Sequence, residues 1–198
     1  MIYVLVLAIS YLLGSIPFGL LMGKWFAQVD VRDHGSGNIG MTNVLRTAGN
    51  IPAILTLIGD GGKGAVAAIL ANQLVGDPFF SLLAGTFAVI GHNWSVFLGF
   101  KGGKGVATVA GVLFTLRPSV AGILFVVWVV VLALFRYISL ASLATAVALP
   151  ITLLFFKVGW AELTLALVVS AFTIYRHRSN IQRLRQGTEF RFGEKVER

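Results

Sequence analysis

Four polar segments interrupt an otherwise apolar chain, and the side chains they carry are ones that hold phosphate. The first, GSGNIGMTNVLR (residues 35–46), has three glycines where backbone N–H groups can come close to a ligand. Ser36, Asn38, Thr42 and Asn43 add neutral donors, and Arg46 closes the run with a guanidinium fork suited to phosphate oxygens. Gly35, Gly37 and Gly40 formally match the dinucleotide fingerprint. No strand precedes them, and an apolar chain offers no βαβ unit, so that reading is rejected. An anion cradle is the functional reading; a polar turn between two spans is the plain one.

The second and third segments repeat Gly-Gly-Lys-Gly, at Gly61–Gly64 and Gly102–Gly105. Neither is a Walker A loop, because Leu57 and Leu98 replace its first glycine and Gly64 and Gly105 replace its Ser/Thr. Each run is expected where a cytosolic loop becomes an apolar helix. There the unpaired N–H groups, the helix dipole and the lysine together favour phosphate. The alternative is that the glycines allow close helix packing while the lysines snorkel. Asp60, next to the first run, can pair with Lys63, which assigns that run partly to support of the site. The second run, with Lys101, Gly102, Gly103, Lys104 and Gly105, reads more directly as a ligand site. His92, just upstream, is either a packing histidine or a site residue, and Trp94 is expected to anchor at the interface.

The fourth segment is the tail YRHRSNIQRLRQGTEFRF. Its arginines read as anchors on anionic headgroups. His177 and Asn180 stand three apart on a continuing helix and share a face, within reach of a phosphorylated substrate. Ser139 and Ser142 share another face near the same end of their span, as packing serines or as the lip of the same site.

The elements that must position these groups are membrane helices. Of 198 residues, 57% are hydrophobic and only 12% charged, with mean hydropathy +0.85. This is expected of a single transmembrane domain over residues 1–198. The absence of cysteine excludes disulfides and thiolate chemistry. His34, His92 and His177 lack metal-site spacing, so a zinc site is not expected. The net charge of +8 lies in residues flanking apolar segments, which argues for a membrane and against nucleic acid. The N-terminal apolar stretch lacks a basic lead and a cleavage site, and is expected to be a retained first span.

A crossing needs about 20 helical residues. Apolar stretches over 1–23, 78–100, 119–135, 138–156 and 159–175 meet or approach that length. Residues 65–76 and 106–116 reach it if their helices start at the glycine runs, whereas 51–58 reads as a short buried or interfacial helix. The fold expected is all-α, with about seven transmembrane helices, the N-terminus outside and the C-terminus cytosolic; five spans is the alternative. Of the sixteen Lys and Arg, fourteen then face the cytosol and only Arg117 and Lys157 lie outside. The loop 24–50, both glycine runs and the tail share the cytosolic side. That one-sidedness favours an interfacial enzyme over a small transporter of a phosphorylated anion, which needs polar groups along both halves of its bundle. Metal-dependent CDP-alcohol chemistry needs clustered aspartates, and only Asp60 lies near a candidate site.

Taken jointly, GSGNIGMTNVLR, DGGKG, GHNWSVFLGFKGGKGVAT and HRSNIQRL…GTE resemble the bacterial acyl-phosphate:glycerol-3-phosphate acyltransferases, the PlsY family, over nearly the whole chain and in the family's order. The resemblance implies transfer of a fatty acyl group from acyl phosphate to the 1-hydroxyl of glycerol 3-phosphate, giving lysophosphatidic acid and inorganic phosphate. It also implies the bacterial inner membrane, no cofactor, no metal, and a soluble partner enzyme that makes acyl phosphate. The residues themselves fit that chemistry. Both substrates carry phosphate, one carries a fatty chain, and a mixed anhydride needs mainly orientation and charge stabilisation. On this reading Ser36, Asn38, Gly40, Thr42 and Asn43 with the Gly102–Gly105 loop grip the acyl-phosphate head, while Arg46, Lys104, His177 and Asn180 hold glycerol 3-phosphate. The His-x-x-x-x-Asp dyad is absent and no carboxylate–histidine pair is evident. The expected proton acceptor is therefore the leaving phosphate, with His177 as the runner-up.

Overall fold

The computed structural model describes residues 1–194, and Lys195 and Arg198 of the charge count lie outside them. Among the described residues the chain is all helical. Pro17 lacks an N–H and interrupts the first hydrophobic stretch, dividing it into α1 (Ile2–Ser15) and α2 (Phe18–Ala27). A short α3 (Met41–Thr47) follows the first glycine-rich loop. Next comes α4 (Asn50–Val75), 26 residues or about 39 Å long, stopped by Gly76 in the left-handed conformation. Asp77 caps α5 (Pro78–Asn93) by accepting from the Phe80 N–H at 2.6 Å, with Pro78 at the first helical position. After a 3₁₀ turn at Val96–Leu98 come α6 (Val106–Leu116), α7 (Pro118–Phe135), α8 (Ile138–Phe155), α9 (Trp160–Arg176) and α10 (Arg178–Gln186).

Among the described residues, five stretches are long and apolar enough to cross a membrane: Ile2–Ala27, Asn50–Val75, Pro78–Leu98, Pro118–Phe135 and Ile138–Phe155. The apolar α6 is shorter, at 11 residues. Many large apolar side chains, among them Val126, Leu134 and Phe155, point away from the bundle. That is natural when the surrounding solvent is lipid.

The helices approach closely at glycines. A Cβ on Gly14 of α1 would strike the Ala88 backbone of α5, and one on Gly91 would strike the Tyr11 carbonyl. The same device joins α4 to α6: Gly64 rests on the Thr108 backbone, and Gly111 rests on Gly61.

This corrects two sequence expectations. Residues 51–58 are no separate short helix but the first two turns of α4, and the run Gly61–Gly64 lies in the middle of that helix. Its N–H groups serve the helix ladder, so it offers no helix-start phosphate cradle. Each helical glycine costs about 1 kcal/mol relative to alanine. Here the close crossing with α6, which only glycine permits, offsets that penalty. Lys63 does not snorkel either. It is 5% exposed, pairs with Asp60 at 2.8 Å and donates to the Ile16 carbonyl at 2.9 Å, where α1 breaks.

Candidate active site

The first glycine-rich loop wraps around the side chain of Asn43. Its Oδ1 accepts from the Ser36 N–H at 2.8 Å, and its Nδ2 donates to the Val31 and His34 carbonyls at 2.7 and 3.1 Å. Gly35 and Gly37 adopt φ of +60° and +69°, a conformation that disfavours other residues. Asn38 accepts from the Gly40 N–H at 2.8 Å. Asn38 and Asn43 thus shape the loop, and together with Ser36, Gly40, Thr42 and Arg46 they line the cavity beside it.

The second glycine run folds back on the end of α5. Gly102 and Gly103 donate their N–H groups to the Asn93 and His92 carbonyls at 3.2 and 2.9 Å. Arg176 closes the other side, donating to the Gly102 and Gly103 carbonyls at 2.5 and 2.8 Å. A Cβ on Gly103 would collide with the His92 ring. Clamped between α5 and α9, the loop delivers Lys104, whose Nζ donates to Asn180 Oδ1 at 2.5 Å. The cavity is lined by Lys104, Gly105 and the first turn of α6, whereas Lys101 is exposed and Gly102 and Gly103 stand behind the wall.

The tail supplies the rest. His177 is the joint between α9 and α10, not a residue of one continuing helix, and His177 and Asn180 are buried side by side in the cavity wall. Asn180 Nδ2 donates to Glu189 Oε1 at 2.7 Å. That carboxylate also accepts from Ser139 Oγ at 2.8 Å and from Arg183 Nε at 2.7 Å. Glu189, only 8% exposed, is therefore the hub that fixes Asn180. The sequence alone points to no role for Glu189 and to a headgroup anchor at Arg176. The one available signal was a carboxylate set between the arginines of the tail. Ser142 lines the cavity as well, donating to the Ile138 carbonyl at 2.9 Å.

Asp60 and His92 meet at the wall between the two glycine runs, with His92 Nδ1 3.4 Å from Asp60 Oδ1. A carboxylate–histidine pair is thus present, although its members are too far apart in sequence to form a motif. The ring presses on Gly103, so the pair braces the loop that carries Lys104.

The electrostatics are those of an anion site. Burial pulls Lys104 down to about 8, Arg183, Arg46 and Arg176 push the same way, and Glu189 opposes them. Burial also lowers Arg46, whose guanidinium lies 4.8 Å from the Phe190 ring centre. One carboxylate among four cations leaves an excess positive charge suited to phosphate. Burial, and then the Lys104 charge, bring His177 down to about 4, so its ring is neutral near pH 7. Its Nδ1 lies 2.7 Å from the Thr173 carbonyl, which assigns the proton to Nδ1 and leaves Nε2 as an acceptor.

From this polar end the cavity continues as an apolar pocket along α6, α7, α8 and α9, past Leu113, Phe125, Leu149 and Val169, with a volume of about 550 Å³. Among the described residues no cluster of three metal-ligating side chains occurs.

A family model described as glycerol-3-phosphate acyltransferase matches residues 4–187. A glycerol-3-phosphate acyltransferase of Desulforudis audaxviator is 46% identical over 189 residues, 96% of this chain and 95% of that protein. The crystal structure of PlsY (YgiH), an integral membrane glycerol 3-phosphate acyltransferase, in its glycerol 3-phosphate form is 42% identical. It superposes with a TM-score of 0.92, covering 98% of this chain and 96% of that one. The lysophosphatidic acid form of PlsY is 41% identical, with a TM-score of 0.89 and the same coverage of each chain.

Proposed function

The chain belongs to the glycerol-3-phosphate acyltransferase family, and from that premise we propose that its acyl donor is acyl phosphate, its acceptor the 1-hydroxyl of glycerol 3-phosphate, and its products lysophosphatidic acid and inorganic phosphate. The observation that carries this reading is one cavity in which Arg46, Lys104, His177 and Asn180 stand at the polar end of a pocket whose far part is lined mostly by Leu, Phe, Ala and Val. That shape matches a fatty chain ending in a phosphate beside a second, small phosphate ester. The glycerol 3-phosphate and lysophosphatidic acid forms of PlsY are in keeping with it.

Arg46, Lys104, His177 and Asn180 hold glycerol 3-phosphate, the cations taking its phosphate. Ser36, Thr42 and the first N–H groups of α6 receive the acyl-phosphate head, with Asn38, Gly40 and Asn43 holding the loop in shape. The neutral His177 accepts the 1-hydroxyl at Nε2 and orients it. The hydroxyl oxygen attacks the acyl carbonyl, the bond from that carbon to the phosphate oxygen breaks, and the departing phosphate takes the alcohol proton. A histidine held at about 4 is too weak a base to drive this step, so positioning and charge stabilisation supply the rate. His177→Ala is then expected to lower kcat by less than about a hundredfold. A larger loss would return the base role to His177.

In the membrane, α1–α2, α4, α5, α6, α7, α8 and α9 form seven spans, α6 being a short one. The N-terminus lies outside, and the site opens to the cytosol across the bacterial inner membrane. A soluble enzyme that makes acyl phosphate supplies the donor. The deciding assay gives the detergent-purified protein glycerol 3-phosphate and palmitoyl phosphate without metal, with palmitoyl-coenzyme A in parallel. Release of phosphate and lysophosphatidic acid from the first mixture alone is expected. Product from the coenzyme A ester alone would overturn the donor assignment.

A further inference from the structure

Behind the main cavity lies a second, smaller one of about 50 Å³, between α5, α6, α8 and α9. The two share four wall residues: Val109 and Leu113 of α6, Leu149 of α8 and Val169 of α9. Leu113, Leu149 and Val169 belong to one buried cluster, with Val109 packed against it. The small cavity sits farther from the polar end, reaching Leu153 on α8 and Glu162 on α9. It therefore prolongs the axis of the main one. From Ile138 at the mouth to Leu149 at the partition, α8 advances eleven residues, or about 16 Å. The lateral route toward lipid is narrowed by Phe114 and Phe125, whose rings meet edge to face with centroids 6.5 Å apart.

We propose that Leu113, Leu149 and Val169 are the chain-length stop of this enzyme, and that the cavity behind them is an unused extension of the acyl pocket. The proposal rests on the acyl-phosphate reading above. An acyl chain lying along α8 and α9 ends against these three side chains. Each carbon beyond the stop must displace them or bend toward Phe114 and Phe125. Trimming the partition joins the two spaces and gives the extra carbons apolar wall to contact.

The test compares lauroyl, palmitoyl, stearoyl and arachidoyl phosphate, with glycerol 3-phosphate saturating, in the unaltered chain, in Leu149→Ala/Val169→Ala, and in Ala146→Phe. Ala146 lines the main cavity one turn nearer its mouth, and a ring there shortens the pocket. Expected is a rise of about tenfold in the arachidoyl-to-palmitoyl ratio of kcat/KM for the double variant, because one methylene in a hydrophobic pocket is worth at least that much. Ala146→Phe is expected to move the preference the opposite way, toward lauroyl phosphate, and it keeps the stop testable if the double variant does not fold. Turnover by the unaltered chain with a profile unmoved in the variants overturns the stop, and sends the chain end out between Phe114 and Phe125. No turnover of any acyl phosphate by the unaltered chain overturns the donor reading, and the stop with it.

Discussion

Lys104 and Asn180 are bonded at 2.5 Å across 76 positions of sequence, and this contact ties the second glycine loop to the last helix. Asn180 is held in turn by Glu189, at 2.7 Å from its Nδ2. The amide thus passes the order imposed by a buried carboxylate on to the ammonium that faces the cavity. Glu189 also lines the cavity, and its bond to Asn180 orients the amide that in turn positions Lys104. Leucine at position 180 removes both bonds and leaves Glu189 short of a donor. Asn180→Leu is expected to lower kcat/KM for glycerol 3-phosphate by a hundredfold or more, the scale of a lost charge-stabilising group. Steady-state kinetics at matched protein amounts checks it.

The Lys104 ammonium is held near 8 by burial and by the surrounding arginines. The sign follows directly: below that value the side chain is charged and attracts phosphate, and above it the charge is lost. The kcat/KM for glycerol 3-phosphate, which reports the unbound enzyme, is expected to fall as pH rises through about 8. Bound phosphate restores a counter-charge, so the same limb in kcat moves to higher pH. Lys104→Arg keeps its charge at every accessible pH. It is expected to abolish the alkaline limb even if its maximal rate is lower; a limb that persists unchanged belongs to another group.

Asp60 and Lys63 form a buried ion pair at 2.8 Å, in a helix that runs through the membrane domain. Taking away only the carboxylate leaves an ammonium in an apolar bundle, bonded to the Ile16 carbonyl and lying 5.9 Å from the Phe18 ring centre. Asp60→Ala is expected to cost about 3–5 kcal/mol, while Asp60→Ala/Lys63→Met recovers most of it. Thermal unfolding in detergent of the single, paired and unaltered proteins measures the cycle. A double variant as unstable as Asp60→Ala would mean that the charge is not what the site lacks.

The sequence announced the chemistry of these residues better than their geometry. Ser36, Arg46, Lys104, His177 and Asn180 stand out against an apolar background, and all five line one cavity. Glu189 was hidden because arginines of the tail stand on both sides of it, and a carboxylate among arginines reads as surface charge. Only its burial, at 8% exposure, and its bond to Asn180 reveal the hub. The Asp60–His92 pair was likewise invisible, since 32 positions separate two residues that the packing of α4 and α5 brings to 3.4 Å. Spacing reports what a single helix or loop arranges, and says nothing of what two helices bring together.

The first Gly-Gly-Lys-Gly run shows the same limit and offers its own test. Read locally, three glycines in four residues argue for a loop, because helix propensity penalises each by about 1 kcal/mol. In the fold their roles differ. Gly64 sits against the Thr108 backbone of α6, where a Cβ has no room, whereas nothing lies within 4 Å of a Cβ placed on Gly62. Gly62→Ala is therefore expected to stabilise the protein by about 0.5–1 kcal/mol through reduced freedom of the unfolded chain. Gly64→Ala must separate α4 from α6, and is expected to cost about 1–3 kcal/mol, the penalty of overpacking. Because Asp60 and Gly61 of α4 line the cavity opposite Lys104 and Gly105, that separation also loosens the site. Activity should fall with the thermal midpoint in Gly64→Ala and hold in Gly62→Ala. Equal effects from the two alanines would show that the run acts through its backbone freedom, and not through the crossing with α6.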